Sequence, residues 1–218
     1  MTDLFEAILF PLRERDRDHV LAAFAAVENS TDPVAEANTP ALRDATLRRC
    51  VGDMLHLIGR SLIAAGPYTW TSGFRDDIGE ALAADGRLAL PEIDRAVLVV
   101  ILVNSVAMPR SSGELHGDTW LSSIVTPPEV LRKQTQIAAG TLRESLERLR
   151  ASGLIKRAIS VGRGGASRAS GYVPGPQFYR LTDAARRRLQ EELILAAGPA
   201  TPLAAAIRAR RAMRQEKA

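Results

Sequence analysis

The chain has 218 residues, 46% hydrophobic and 25% charged, which is ordinary globular composition and enough apolar content for a real core. Its net charge of +4 hides an uneven spread: −7 over residues 1–126, +9 over 127–188 and +2 over 189–218. The longest apolar run, Ala96–Val103, is too short to span a bilayer even when extended past Asn104 and Ser105 to Met108, acids at Asp3 and Glu6 argue against a secretory leader, and one cysteine excludes an intramolecular disulfide, so the expected setting is cytoplasmic.

Ala, Leu, Arg and Glu dominate and aromatics make up only 5%, so helix is expected to outweigh strand. The first 88 residues read as helices parted by breakers: Leu4–Leu9, then Pro11–Glu28, then an interruption at Asn29-Ser30-Thr31-Asp32-Pro33. Pro40 opens a longer predicted helix to about Ala65, carried by Leu42, Leu47, Val51, Leu55, Ile58 and Leu62, with Gly66 at its end. After Pro67–Trp70 a short helix is expected from Ser72 to Ala84. This acidic 1–88 region is assigned to dimerisation or sensing.

Ile93–Ala107, introduced by Leu90-Pro91-Glu92, is apolar on nearly every side and is expected to be a central helix; its Val and Ile content makes a strand the competing reading. Pro109–Asp118 reads as a polar loop, and Thr119–Ile124 as a short helical turn. Thr126-Pro127-Pro128-Glu129 is a helix-start signal.

A short helix Pro128–Thr135, a tight turn and a second helix from about Ala138 to Ala151 follow. Ile137, Leu142, Leu146 and Leu149 share one face of the second helix, and Gly153 is a natural terminator because glycine tolerates positive φ. Two short helices of this kind form a helix-turn-helix. The outward face carries Ala139, Gly140, Thr141, Arg143, Glu144, Glu147 and Arg148; Arg143 offers a bidentate fork to a guanine edge, and Thr141 a hydroxyl to a base or phosphate.

A wing is expected next, with Leu154–Val161 as one strand and Gln177–Leu181 as its return. Arg163 and Arg168 lie in the glycine-rich tip 162–176, suited to phosphate contact or minor-groove insertion. Thr141, Arg143, Glu144 and Arg148, with Lys156 and Arg157 at the strand entry and Arg163 and Arg168 at the tip, make the expected DNA-contacting set. Thr182-Asp183 caps a helix from Ala184 to about Ala196 bearing Arg186, Arg187 and Arg188, and Leu203–Arg214 reads as a basic C-terminal helix. The expected division is 1–88, 89–197 and 198–218, in a mainly α chain with a small β-hairpin wing: a winged helix-turn-helix plus an N-terminal helical region.

Thr141-Leu142, Leu146, Leu149 and Gly153-Leu-Ile-Lys-Arg157, with the later Tyr179-Arg-Leu-Thr-Asp-Ala-Ala185, resemble the winged helix of MarR-type bacterial transcriptional regulators over roughly 93–196. The resemblance implies a homodimer on a palindromic operator, in some cases released by a small-molecule effector. The expected function is therefore a sequence-specific regulator of double-stranded DNA, with no cofactor, no metal and no enzymatic activity. The alternative is a winged-helix assembly protein that docks on a protein partner in a chromosome-organising or replication complex.

Catalytic motifs are missing at this level. No Gly-x4-Gly-Lys-Ser/Thr run occurs, and Gly162-Arg-Gly164-Gly-Ala-Ser167 ends in serine where a dinucleotide loop needs glycine. His19, His56 and His116 have no metal-ligand spacing. Cys50 follows Arg48 and Arg49, which would lower a thiol's pKa and suit a redox sensor; the simpler reading is a small buried hydrophobe.

Overall fold

The structure, a computed structural model, describes residues 4–86, 89–115, 120–161, 168–197 and 202–215; helices dominate among them, with two small antiparallel sheets. The chain divides into two units, one formed by Met1–Ala89 and Tyr179–Thr182, the other by Leu90–Phe178 and Asp183–Ala218.

In chain order the first unit contains α1 (Glu6–Leu9), α2 (Glu14–Asn29), β1 (Val34–Ala35), a 3-10 turn (Glu36–Asn38), α3 (Pro40–Arg43), α4 (Ala45–Leu57), β2 (Arg60–Gly66), β3 (Thr69–Phe74) and α5 (Asp76–Ala84). The all-helical expectation for this region is corrected in three places. The long helix predicted over 40–65 breaks at Asp44, whose side chain accepts hydrogen bonds from the Thr46 and Leu47 amides at 2.8 and 2.9 Å and so starts α4 afresh. Beyond Leu57 the short apolar run Leu62–Ala65 fits helix or strand equally well in sequence, and pairing decides it: β2 lies antiparallel to β3, Leu62 opposite Ser72 and Ile63 opposite Thr71. Because Thr69–Phe74 is strand, the helix expected from Ser72 begins at Asp76.

The three-stranded sheet has the order β1-β3-β2. Pro67 and Tyr68 make the tight connection, with Tyr68 at φ 58°, a turn position usually given to glycine. Val20, Ala23 and Val27, spaced three and four apart on α2, are fully buried with Leu42, Val51, Met54 and Leu55. At the sheet, Trp70 Nε1 donates to Glu36 Oε1 at 2.6 Å while the Arg48 guanidinium lies 5.0 Å from the indole centroid.

Tyr179–Thr182 completes this unit through Arg180. Its guanidinium donates to the Ser72 carbonyl and hydroxyl at 3.0 and 2.9 Å, and to the carbonyls of Glu28 and Ser30 at 3.3 and 2.6 Å. Arg60 donates to the same Ser72 hydroxyl at 3.0 Å and to Glu28 Oε1 at 3.2 Å.

The second unit contains α6 (Glu92–Leu102), a π turn (Val103–Ala107), α7 (Met108–Ser111), α8 (Pro128–Thr135), α9 (Ala139–Ala151), β4 (Ile155–Val161), β5 (Arg168–Pro174), a 3-10 turn (Pro176–Arg180, its last two residues in the first unit), α10 (Asp183–Ala197) and α11 (Pro202–Gln215). The Val/Ile-rich segment is helix, not strand: Val97 and Ile101, four apart, pack with Leu131, Leu142, Leu146 and Leu149. Trp120–Ile124, expected as a helical turn, is irregular.

The π turn at the end of α6 brings Ser105 inward. Its hydroxyl lies 2.9 Å from Thr126 Oγ1 and 3.3 Å from the Tyr172 carbonyl oxygen, all three residues being buried. Thr126 and Tyr172 exchange backbone hydrogen bonds at 2.8 and 2.9 Å, adding a one-residue bridge to the free side of β5. Gly171 permits that approach, since a Cβ there would stand 2.5 Å from the Thr126 carbonyl oxygen.

The hairpin's return strand is corrected from Gln177–Leu181 to Arg168–Pro174, with Ile155 opposite Pro174 and Val161 opposite Arg168. Gly171 and Pro174 made this stretch read as loop, yet each sits where a strand accepts it, one at a close approach and the other at the strand's end. Gln177–Leu181 serves other contacts: Phe178 is buried, stacked on Trp120 with ring centroids 6.1 Å apart, and the next four residues belong to the first unit.

The C-terminal helix α11 packs on α10 instead of standing as a tail. Arg210 pairs with Glu191, Arg211 bonds Glu191 and Glu192 at 3.2 and 2.8 Å, and Ala204 and Ile207 are buried. Among the described residues no helix is long and apolar enough to cross a membrane.

Candidate nucleic-acid interface

The basic segment of the sequence folds as α8, a three-residue turn, α9 and the β4–β5 ribbon, all in the second unit. Pro127 is extended and Pro128 occupies the first turn of α8, where its missing amide costs nothing. Gln136 takes a left-handed conformation (φ 55°) that ends α8 and turns the chain toward α9. Gly153, at φ +71°, ends the second helix as its residue type foretold, and β4 begins two residues later.

Leu142, Ser145, Leu146 and Leu149 form the buried face of α9. Gly140, Arg143, Glu144, Glu147 and Arg150 are exposed, and Thr141 is half-buried at the margin. Lys156 and Arg157, at the start of β4, are also exposed. Thr141, Arg143, Glu144, Lys156 and Arg157 therefore lie on two consecutive elements of one unit. Arg143, Lys156 and Arg157 make no ion pair among the described residues. Arg163 lies outside the described residues; Arg168 opens β5 through its backbone, and its side chain is likewise outside them.

Arg148 requires a correction. Its Nε and Nη2 donate to Asp94 Oδ2 and Oδ1 at 2.9 and 2.7 Å, so the group expected to face a duplex is tied to α6. The Asp94 side chain is only 3% exposed while that of Arg148 is 48% exposed. Hydrogen bonding from Arg148 outweighs burial and holds the Asp94 carboxyl below the ordinary aspartate range; the same pair raises the Arg148 pKa. Fifty-four residues separate the partners, and nothing local in either segment announces the pairing. The sequence reading also passed over Arg132, Lys133 and Arg150, exposed bases on α8 and α9, of which Arg132 lies 3.9 Å from Glu129. A tally of bases over α8 and α9, beyond those on the assigned outward face, would have found them.

Elsewhere in this unit a largely apolar cavity of about 200 Å³ is lined by Val106, Ala107, Arg110, Trp120, Leu193 and Ile194. The Arg110 guanidinium lies 5.5 Å from the Trp120 ring centroid.

At Cys50 the redox-sensor alternative loses its basis, because the thiol pKa is raised instead of lowered. Burial, aided by the Asp53 charge, pushes it up and outweighs Arg49, and the side chain packs against the first unit's core. His56 Nε2 lies 3.0 Å from Arg75 Nη1, and His116 is outside the described residues. Among the described residues no three His, Cys, Asp or Glu side chains gather as a metal site.

No protein-family model and no curated protein matches the chain. A solved structure, that of a conserved hypothetical protein from Chlorobium tepidum, is 14% identical over 77% of this chain and 96% of that one, with a TM-score of 0.30, a likeness too slight to assign fold or function.

Proposed function

We propose that the second unit is a winged helix that binds double-stranded DNA, with α9 entering the major groove and the β4–β5 ribbon reaching the adjoining backbone. One observation carries this reading: Arg143, Lys156 and Arg157 stand exposed and, among the described residues, without ion pairs on consecutive elements of a helix-turn-helix-ribbon segment whose stretch of sequence holds a charge of +9. Solvated guanidinium and ammonium groups displace counterions from a polyanion, whereas a paired arginine such as Arg148 is already spoken for. In this reading the protein is a cytoplasmic, MarR-like transcriptional regulator without enzymatic activity. A homodimer meets a two-fold operator, and the cavity beside Trp120 accepts a small apolar effector.

Gel-shift titration on genomic fragments at several salt concentrations tests it. Affinity falls steeply with salt, and an Arg143→Ala/Lys156→Ala/Arg157→Ala variant loses most of that dependence. Retention that is indifferent to salt, or unaltered in the triple variant, defeats the reading.

A second reading has its own support. Glu144 and Glu147 occupy the middle of the exposed face of α9, and carboxylates there oppose close approach to phosphates. A winged-helix assembly protein would present that face to a basic protein partner, and would recover a stoichiometric polypeptide with no enriched duplex.

A further inference from the structure

We propose that Asp94 is a positioning residue for α9: by holding Arg148 against α6 it sets the rotation of the helix about its own axis and thereby decides which side chains a duplex meets. The proposal rests on the DNA-binding reading above for its functional consequence, though not for its geometry.

The apolar contacts of α9 are permissive about rotation. Leu142, Leu146 and Leu149 meet Val97, Ile101 and Leu131 through apolar contacts, which are non-directional and so specify the helix's rotation less sharply than a directional bond does. A bidentate guanidinium–carboxylate pair is directional, because two parallel bonds require coplanar groups. Here one partner is enclosed: Asp94 lies in the first turn of α6 with its carboxylate 3% exposed, and Ser145, one turn before Leu149, is buried beside it. Arg148 reaches across from the flank of α9, with Glu144 on the preceding turn as a further carboxylate near its guanidinium. Arg143 and Arg148 are five residues apart, about 140° around the helix, so anchoring one on the α6 side turns the other outward. Loss of the anchor lets α9 roll, which degrades the register of Arg143 and Thr141 against base edges while leaving the count of phosphate-facing cations unchanged.

The two roles of an arginine on such a helix separate experimentally. Full-length wild type, Asp94→Asn, Arg148→Gln and Lys156→Gln are compared on a duplex enriched by wild type from a random-sequence pool and on a shuffled version of it, at temperatures where each variant retains its near-UV spectrum. A positioning role predicts that Asp94→Asn and Arg148→Gln both lower the enriched-to-shuffled affinity ratio, by about tenfold, with an unaltered salt slope. Lys156→Gln instead makes the slope shallower by about one. An Arg148→Gln slope shallower by about one beside an unaffected Asp94→Asn, or an unchanged ratio in both variants, overturns the proposal. Should wild type enrich no duplex, the DNA reading fails on its own, and hydrogen exchange still decides the positioning role. Faster exchange of 139–151 amides in Asp94→Asn, with α4 amides unaffected, upholds it, and unchanged protection of α9 overturns it.

Discussion

Arginine has two uses in this molecule, and examples from the two units can be compared. In the first, Arg48, Arg60 and Arg180 are drawn against Glu36, Glu28, Trp70 and backbone carbonyls, where they connect helices to the sheet. In the second, Arg143, Lys156 and Arg157 extend into solvent from α9 and β4, while Arg148 of α9 is tied to Asp94 of α6. A base count cannot tell these uses apart, because the same residue type serves packing in one place and surface charge in the other. Whether the donors already have acceptors separates them.

That contrast breaks or sharpens under substitution. The largest effects come from the cores. Leu149→Ala in α9 and Leu55→Ala in α4, both essentially inaccessible, each lower unfolding stability by about 2–5 kcal/mol in denaturant titration. Only Leu149→Ala is expected to alter duplex retention by the protein that remains folded; equal damage from both would erase the proposed division of labour.

Next comes Arg180→Ala, which strands the carbonyls of Ser72, Glu28 and Ser30. A loss of about 1–3 kcal/mol follows, read as a lower urea midpoint with an unchanged salt slope for duplex binding. The exposed bases should behave in the reverse manner. Lys156→Ala with Arg157→Ala leaves stability within about 0.5 kcal/mol of wild type and makes the salt slope shallower by about two.

The smallest effect is the pH response of the Asp94–Arg148 pair. Because the folded carboxyl is held below its ordinary value, the pair's contribution is complete above the unfolded aspartate pKa of about 3.9 and disappears as pH falls through the depressed folded value. Asp94→Asn should therefore remove part of the acid-induced loss of stability below about pH 4 without altering the profile near neutrality.

Much of the second unit was legible because its signals are local. Leu142, Leu146 and Leu149 mark a helical face by spacing alone, Gly153 supplies the positive φ that stops it, and Pro127-Pro128 fixes the start of α8. The first unit was read less well. Leu62–Ala65 has no decisive period, and only its partner strand, reached through a two-residue turn, makes it β. The ribbon failed for a related reason: Gly171 and Pro174 look like loop residues until Thr126 is seen against one and the strand's end at the other. At the candidate interface Arg143, Lys156 and Arg157 lie exposed as their positions implied, whereas the half-exposed Arg148 is tied to an acceptor fifty-four residues away.

Residue order by itself determined where α8, α9 and α10 run, where the positive charge gathers and which face of α9 is apolar, since periodicity, capping and charge are properties of neighbours along the chain. Only the tertiary structure decided that Arg60–Phe74 pairs as a hairpin, that 179–182 completes the first unit, and that Arg148 belongs to Asp94. Each of these joins segments distant in sequence, and a hydrogen bond between them depends on where folding brings donor and acceptor, which no local pattern encodes.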